Sequence, residues 1–151
     1  MKKQMNRTSP IMLPIMLNKL RKRLDSISLP LLKKYDLSKL HLLYLVVLFE
    51  SEDGMTLKEL TDFLDFDKAN TSRAISQLIA KEYVQKRTQG DLEFKYKIEL
   101  TPKGRDAAKN ISEQNQKANA ALLELLTPEE LSALSQIAGK LWQFLSEENP
   151  D

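Results

Sequence analysis

The sequence predicts a mainly α-helical protein carrying one small β-hairpin. Apolar residues recur at helical spacing through most of the 151 residues. The pattern changes to strict alternation, the mark of a strand, only over two short runs between residues 83 and 100. Aromatics make up 7% and there are only four Gly, which disfavours an all-β sandwich or barrel full of tight turns. With 42% hydrophobic and 29% charged residues, the chain is expected to be ordered and soluble.

The elements follow in order. Residues 11–35 form an apolar-periodic helix in which Pro30 predicts a kink or break. Residues 38–50 are apolar on nearly every face, which predicts a central, buried helix. Ser51 to Gly54 is a turn. Thr56 and Glu59 have capping-box spacing ahead of a short helix with Leu57, Leu60, Phe63 and Leu64 on one stripe. Asp67 is a good N-cap for a helix over 68–82. Strands follow at Tyr83 to Arg87 and Phe94 to Leu100. Phe94, Tyr96, Ile98 and Leu100 fall on one face and Lys95, Lys97 and Glu99 on the other, with Gly90-Asp91 at the tip. Thr101-Pro102 restarts a helix reaching about Leu126. Thr127 and Glu130 cap a last amphipathic helix carrying Leu131, Leu134, Ile137, Ala138, Leu141 and Leu145.

Composition also excludes chemistry. There is no Cys, which removes disulfides, thiolate metal sites and thiol redox sensing, and one His cannot build a multi-histidine metal site in a single chain. No Gly-rich phosphate loop, nucleophile–base pair or paired-carboxylate motif stands out, so no catalytic residues, metal site or cofactor are expected. The basic, apolar N-terminus contains Pro10 and Pro14 and lacks a small-residue cleavage site, and the longest apolar run elsewhere is Leu42 to Phe49. That is far short of the ~20 residues a membrane span needs. A soluble, unprocessed, cytoplasmic protein without a membrane partner is expected.

Net charge is +2 but is segregated: +8 over residues 1–40, −2 over 41–104 and −4 over 105–151. Such segregation suits one surface made for a polyanion. The short capped helix, tight turn and second helix form a helix-turn-helix candidate, and the hairpin after them makes it a winged-helix candidate. At about 100° per residue, Thr71, Ala74, Ile75, Leu78, Ile79 and the stem of Glu82 cluster as a core face. Ala69, Asn70, Arg73, Ser76, Gln77 and Ala80 lie opposite, with no acid among them. A solvated helix face usually mixes Glu with Lys. Arg73 has the fork to pair with guanine O6 and N7, and Asn70 and Gln77 can each pair with adenine N6 and N7. Ala69, Ser76 and Ala80 are small enough to bring the helix axis close to base edges. Lys68 and the helix N-terminus suit a phosphate, as do Lys86, Arg87, Lys95 and Lys97 on the hairpin. Lysines on an edge strand also block aggregation, so both readings of the hairpin stay open.

These residues resemble the multiple-antibiotic-resistance-repressor (MarR) family of bacterial regulators over nearly the whole length. The likeness is carried by LKELTDFLDFDKANTSRAISQLIAKEYVQKR (57–87) and IELTPKGRDAA (98–108). It includes the Asp67-Lys68 helix opening, the Ser72-Arg73 pair midway and the Leu100-Thr101-Pro102-Lys103-Gly104 junction after the wing. Two positions depart from the family pattern: no Arg follows Asp91 at the wing tip, and Glu82 stands where a Gly usually ends the recognition helix.

The resemblance implies a winged helix-turn-helix domain at 37–102, flanked by dimerisation helices at 1–36 and 103–151. It implies a homodimer bound to double-stranded DNA at a palindromic operator, with Ser72 joining the base-reading set, and a repressor released by a small aromatic or lipophilic effector. The apolar stripes of 11–35 and 105–145, too long for the winged domain to bury alone, fit a dimer. His41 reads as a core or pocket-lining residue, and Tyr35, His41 and Tyr44 are candidates to line an effector pocket. Met1, Met5, Met12 and Met16 fit a dimer contact. The alternative from another class is a winged-helix protein-interaction module without specific DNA readout.

Overall fold

The computed structural model describes residues 7, 9–90 and 92–147, with backbone only at 89, 92–95, 121, 122 and 147. Met1, Met5 and Asp91 lie outside the described residues. A short 3-10 turn, Pro10–Met12, leads into α1 (Leu13–Lys34). The expected break at Pro30 does not occur; Pro30 lies inside a continuous helix. Proline removes the donor for the carbonyl four residues back, that of Ser26. Ser26 and Pro30 are both exposed, so water can satisfy the orphaned carbonyl. The turn after α1 places Asp36 in the left-handed region at φ 53°.

Helix α2 (Lys39–Glu50) starts at a capping box whose return arm is a histidine. The backbone N–H of His41 donates to Ser38 Oγ at 3.1 Å, and the Ser38 N–H donates to His41 Nδ1 at 3.2 Å. Burial is one-sided rather than complete. His41, Tyr44, Leu45 and Leu48 are buried, whereas Leu43 and Val46 are exposed. The buried four share one helical stripe, and the other two fall outside it.

Helix α3 (Leu57–Leu64) has the expected capping box: Thr56 N–H to Glu59 Oε2 at 2.7 Å and Glu59 N–H to Thr56 Oγ1 at 3.2 Å. Leu60 is fully buried and Leu57 and Leu64 are half-buried, but Phe63 departs from the expected stripe and is 54% exposed. Asp65, at φ 53°, turns the chain into α4 (Lys68–Ala80). Asp67 caps α4 by accepting from the Asn70 N–H at 2.8 Å. The helix ends two residues before the expected boundary, because Glu82 takes a left-handed conformation at φ 63°.

Strands β1 (Val84–Gln89) and β2 (Leu92–Leu100) pair antiparallel, with Val84 opposite Leu100, Lys86 opposite Ile98 and Arg87 opposite Lys97. Met55 adds a third edge, exchanging backbone hydrogen bonds with Ile98 at 3.0 and 2.7 Å. The core of this region gathers Leu32, Tyr44, Leu45, Leu48, Leu60, Ile75, Leu78, Val84, Ile98 and Ile111. Each such side chain contributes about 1.5–3 kcal/mol on burial.

Helix α5 (Pro102–Leu123) ends three residues sooner than expected, and α6 (Pro128–Glu147) follows a capping box from Thr127 to Glu130. Gly104 explains the tight junction from wing to α5: a Cβ there would stand 1.9 Å from the Tyr83 carbonyl oxygen. The chain divides into two compact units, Met1–Asn115 and Gln116–Asp151. In the second, the expected stripe residues Leu134, Ile137, Leu141 and Leu145 are all exposed, together with Trp142 and Phe144. Among the described residues, no helix is long and apolar enough to cross a membrane.

Candidate nucleic-acid interface

Helix α4 divides as its sequence predicts. Thr71, Ala74, Ile75 and Leu78 are buried and Ile79 is half-buried. Lys68, Ala69, Asn70, Ser72, Arg73, Ser76, Gln77 and Ala80 are exposed, and Glu82 turns outward beyond the helix end. The buried Tyr44 hydroxyl donates to Thr71 Oγ1 at 3.0 Å and ties α4 to α2. Burial pushes that hydroxyl's pKa up, so it stays a neutral donor.

The exposed side chains are organised by local hydrogen bonds. Asn70 Nδ2 donates to Asp67 Oδ2, and Asn70 Oδ1 accepts from Arg73 Nη1 at 3.4 Å. Both ends of the Asn70 amide are thus engaged along the first turn of α4, and Arg73 leans toward it. Gln77 is held differently: its Oε1 lies 2.8 Å from Nε2 of the buried His41.

The hairpin presents two faces. Lys86 is exposed on the side of Tyr96, its Nζ 4.4 Å from that ring's centroid, a cation–π contact. Arg87 and Lys97 share the other side and converge on Asp53. Arg87 Nη2 donates to Asp53 Oδ1 at 2.5 Å, Lys97 Nζ donates to Asp53 Oδ2 at 2.5 Å, and Arg87 Nε lies 3.2 Å from Glu99 Oε2. These bonds from Lys97 and Arg87, with their charges, lower the Asp53 pKa to about 2. A phosphate at this face would compete with Asp53 for the same two cations. The Lys95 side chain lies outside the described residues.

An open groove of about 640 Å³ runs between α4 and the hairpin, lined by Ser76, Ile79, Glu82, Val84, Gln85, Lys86 and Thr101. The unusual turn at Glu82 is held by Thr101, whose hydroxyl donates to the Glu82 carbonyl at 2.7 Å. Tyr35 is half-buried, and its carbonyl accepts from the Tyr83 hydroxyl at 2.7 Å. His41 and Tyr44 are buried and hydrogen-bonded to α4.

Local sequence patterns do not reveal Asp53 as the organiser of the wing cations. It sits 34 residues from Arg87 and 44 from Lys97, joined to them only by the fold. The adjacent acids Glu52 and Asp53 in the turn are the available signal, and the sequence does not say which of them meets the wing.

A model of the MarR family matches residues 35–91. Among solved structures, the fold is similar to a MarR-family transcriptional regulator from Listeria monocytogenes complexed with 26mer DNA (26% identity, 87% of each chain, TM-score 0.75). It is also similar to a MarR protein from Peptoclostridium difficile (24% identity, 98% of this chain and 96% of that one, TM-score 0.78). A third likeness is NadR in complex with 4-hydroxyphenylacetate (18% identity, 93% and 97% covered, TM-score 0.73). A search of curated proteins finds no match. The family match spans α2, α3, α4 and β1, elements that build this interface, and over residues 35–91 the chain carries a winged helix-turn-helix segment of the MarR transcriptional-regulator type.

Proposed function

We propose that this protein is a sequence-specific DNA-binding repressor that lays α4 in the major groove and the hairpin against the neighbouring backbone. The exposed, acid-free face of α4 carries this reading. Ala69, Asn70, Ser72, Arg73, Ser76 and Gln77 meet base edges, and Lys68, Lys86, Arg87, Lys95 and Lys97 meet phosphates. The DNA complex of the Listeria regulator supports it.

The protein acts as a homodimer on a palindromic operator, through the segments 1–36 and 103–151. Several exposed apolar side chains on α1 (Leu13, Ile15, Met16, Leu17) and, separately, on α6 support this, because large apolar side chains gathered on one exposed helix favour an interaction site. A small aromatic or lipophilic ligand relieves repression, supported by the 4-hydroxyphenylacetate bound to NadR. The protein works in the cytoplasm, without enzymatic activity.

Fluorescence anisotropy with the DNA upstream of its own gene, at two salt concentrations, tests the reading. Selective binding should persist at the higher salt, and 4-hydroxyphenylacetate serves as the first effector probe. Only non-specific binding, erased by salt, would favour a winged-helix protein-interaction module instead.

A further inference from the structure

We infer that His41 is a positioning residue that fixes how Gln77 reads a base: it turns the Gln77 carbonyl inward and leaves only the amide NH2 to face the DNA. The inference rests on the DNA-reading function proposed above and narrows it.

The argument begins at a group whose role cannot change. The backbone N–H of Ser38 can only donate, and it donates to His41 Nδ1 at 3.2 Å. Nδ1 is therefore the unprotonated nitrogen, and the neutral ring carries its hydrogen on Nε2. Nε2 lies 2.8 Å from Gln77 Oε1 and so donates to it. An amide flipped end for end would set its NH2 against the Nε2–H, donor against donor. With His41 only 6% exposed, water is poorly placed to replace the bond. The fold thus takes one of the two lone pairs of the Gln77 carbonyl and turns the acceptor end of an exposed side chain inward, toward the buried ring.

The consequence is a change in the base Gln77 suits. A bidentate pair with adenine needs the amide NH2 on N7 and the carbonyl on N6. A carbonyl held against the buried ring leaves a donor alone, which fits the acceptor-only edge of guanine, N7 and O6. The His41 ring acts through Gln77 and does not itself reach the DNA.

The test uses the full chain and the DNA upstream of its own gene, varied one base pair at a time. Gln77→Ala locates the position that Gln77 reads. At that position the wild type should prefer guanine to adenine. His41→Leu, which frees the amide, should shift the ratio toward adenine by about tenfold, roughly the discrimination of one bidentate pair. Selective binding with an unchanged ratio in His41→Leu overturns the inference. So does a Gln77→Ala variant that alters no position. Wild-type binding with no preference anywhere defeats the DNA-reading function itself, a different failure.

Because His41→Leu also leaves the Ser38 N–H without its acceptor, a second measurement uses wild-type protein alone. With one His in the chain, a 15N-edited imidazole spectrum reports His41 without overlap. Hydrogen on Nε2 is expected, and hydrogen on Nδ1 overturns the inference.

Discussion

The carboxylate of Asp53 lies 2.5 Å from the ammonium of Lys97, although 44 residues separate them along the chain. The same carboxylate holds Arg87. Two of the four described cations assigned to phosphate are thus already neutralised within the protein. Asp53→Asn should release them, tightening DNA binding at low salt. The slope of log affinity against log salt should steepen by about 0.9 for each cation that gains a phosphate. Anisotropy titrations at several salt concentrations measure both. Weaker binding by Asp53→Asn would mean that the carboxylate aims these side chains rather than competing for them.

Acid should report the same cluster. The Asp53 pKa is lowered from 3.8 to about 2, first by the hydrogen bond from Lys97 and then by that from Arg87. A depressed folded-state value means that the stabilisation is fully present above the ordinary value. It is lost as pH falls from 3.8 toward about 2. A carboxyl-detected NMR titration should place the Asp53 midpoint near the lower figure, and Lys97→Met should move it back up. Asp53 is exposed, so raising salt should weaken the effect.

Glu82 occupies the left-handed region at φ 63°. A side chain there costs about 1–2 kcal/mol, whereas glycine adopts it without that penalty. Glu82→Gly should therefore stabilise the fold by about 1 kcal/mol once the greater unfolded-state freedom of glycine is subtracted. Urea unfolding with an unchanged m-value would establish this.

Gly104 predicts the opposite sign. A Cβ there meets the Tyr83 carbonyl oxygen at 1.9 Å, and that atom is backbone. Relief requires α5 to move away from the hairpin, breaking the Thr101 contacts with Glu82 and Tyr83. Gly104→Ala should cost about 3 kcal/mol, at the upper end of overpacking penalties, or prevent folding. Thermal unfolding of the variant measures it.

What could be read from the chain was local. Thr56 with Glu59, Thr127 with Glu130, and Asp67 announce helix starts by side-chain chemistry three residues apart, and all three caps form. The alternation that ends at Ile98 and Leu100 placed both strands and their buried face. Where the reading failed, a contact from outside the local pattern decided. Pro30 is the exception: it stays helical because the Ser26 carbonyl that it frees lies on an exposed side, within reach of water. The buried side of α2 is selected by α4 and β2, not by its own nearly uniform apolarity. The Ser38 box escaped notice because a histidine replaces the usual Glu or Gln. At the interface, the identity of the exposed residues on α4 was legible. The engagement of Asn70, Gln77, Arg87 and Lys97 was not, since for all but Asn70 it depends on partners remote in the chain.

Arg73 offers the most direct test of the α4 reading surface, because its fork is the strongest base-reading group on that face and its removal leaves the core intact. Arg73→Ala should retain the wild-type mass by light scattering and lose selective binding to the upstream DNA. Arg73→Ala protein that still distinguishes that DNA from a scrambled duplex as well as wild type does would contradict the assignment of this face to base recognition.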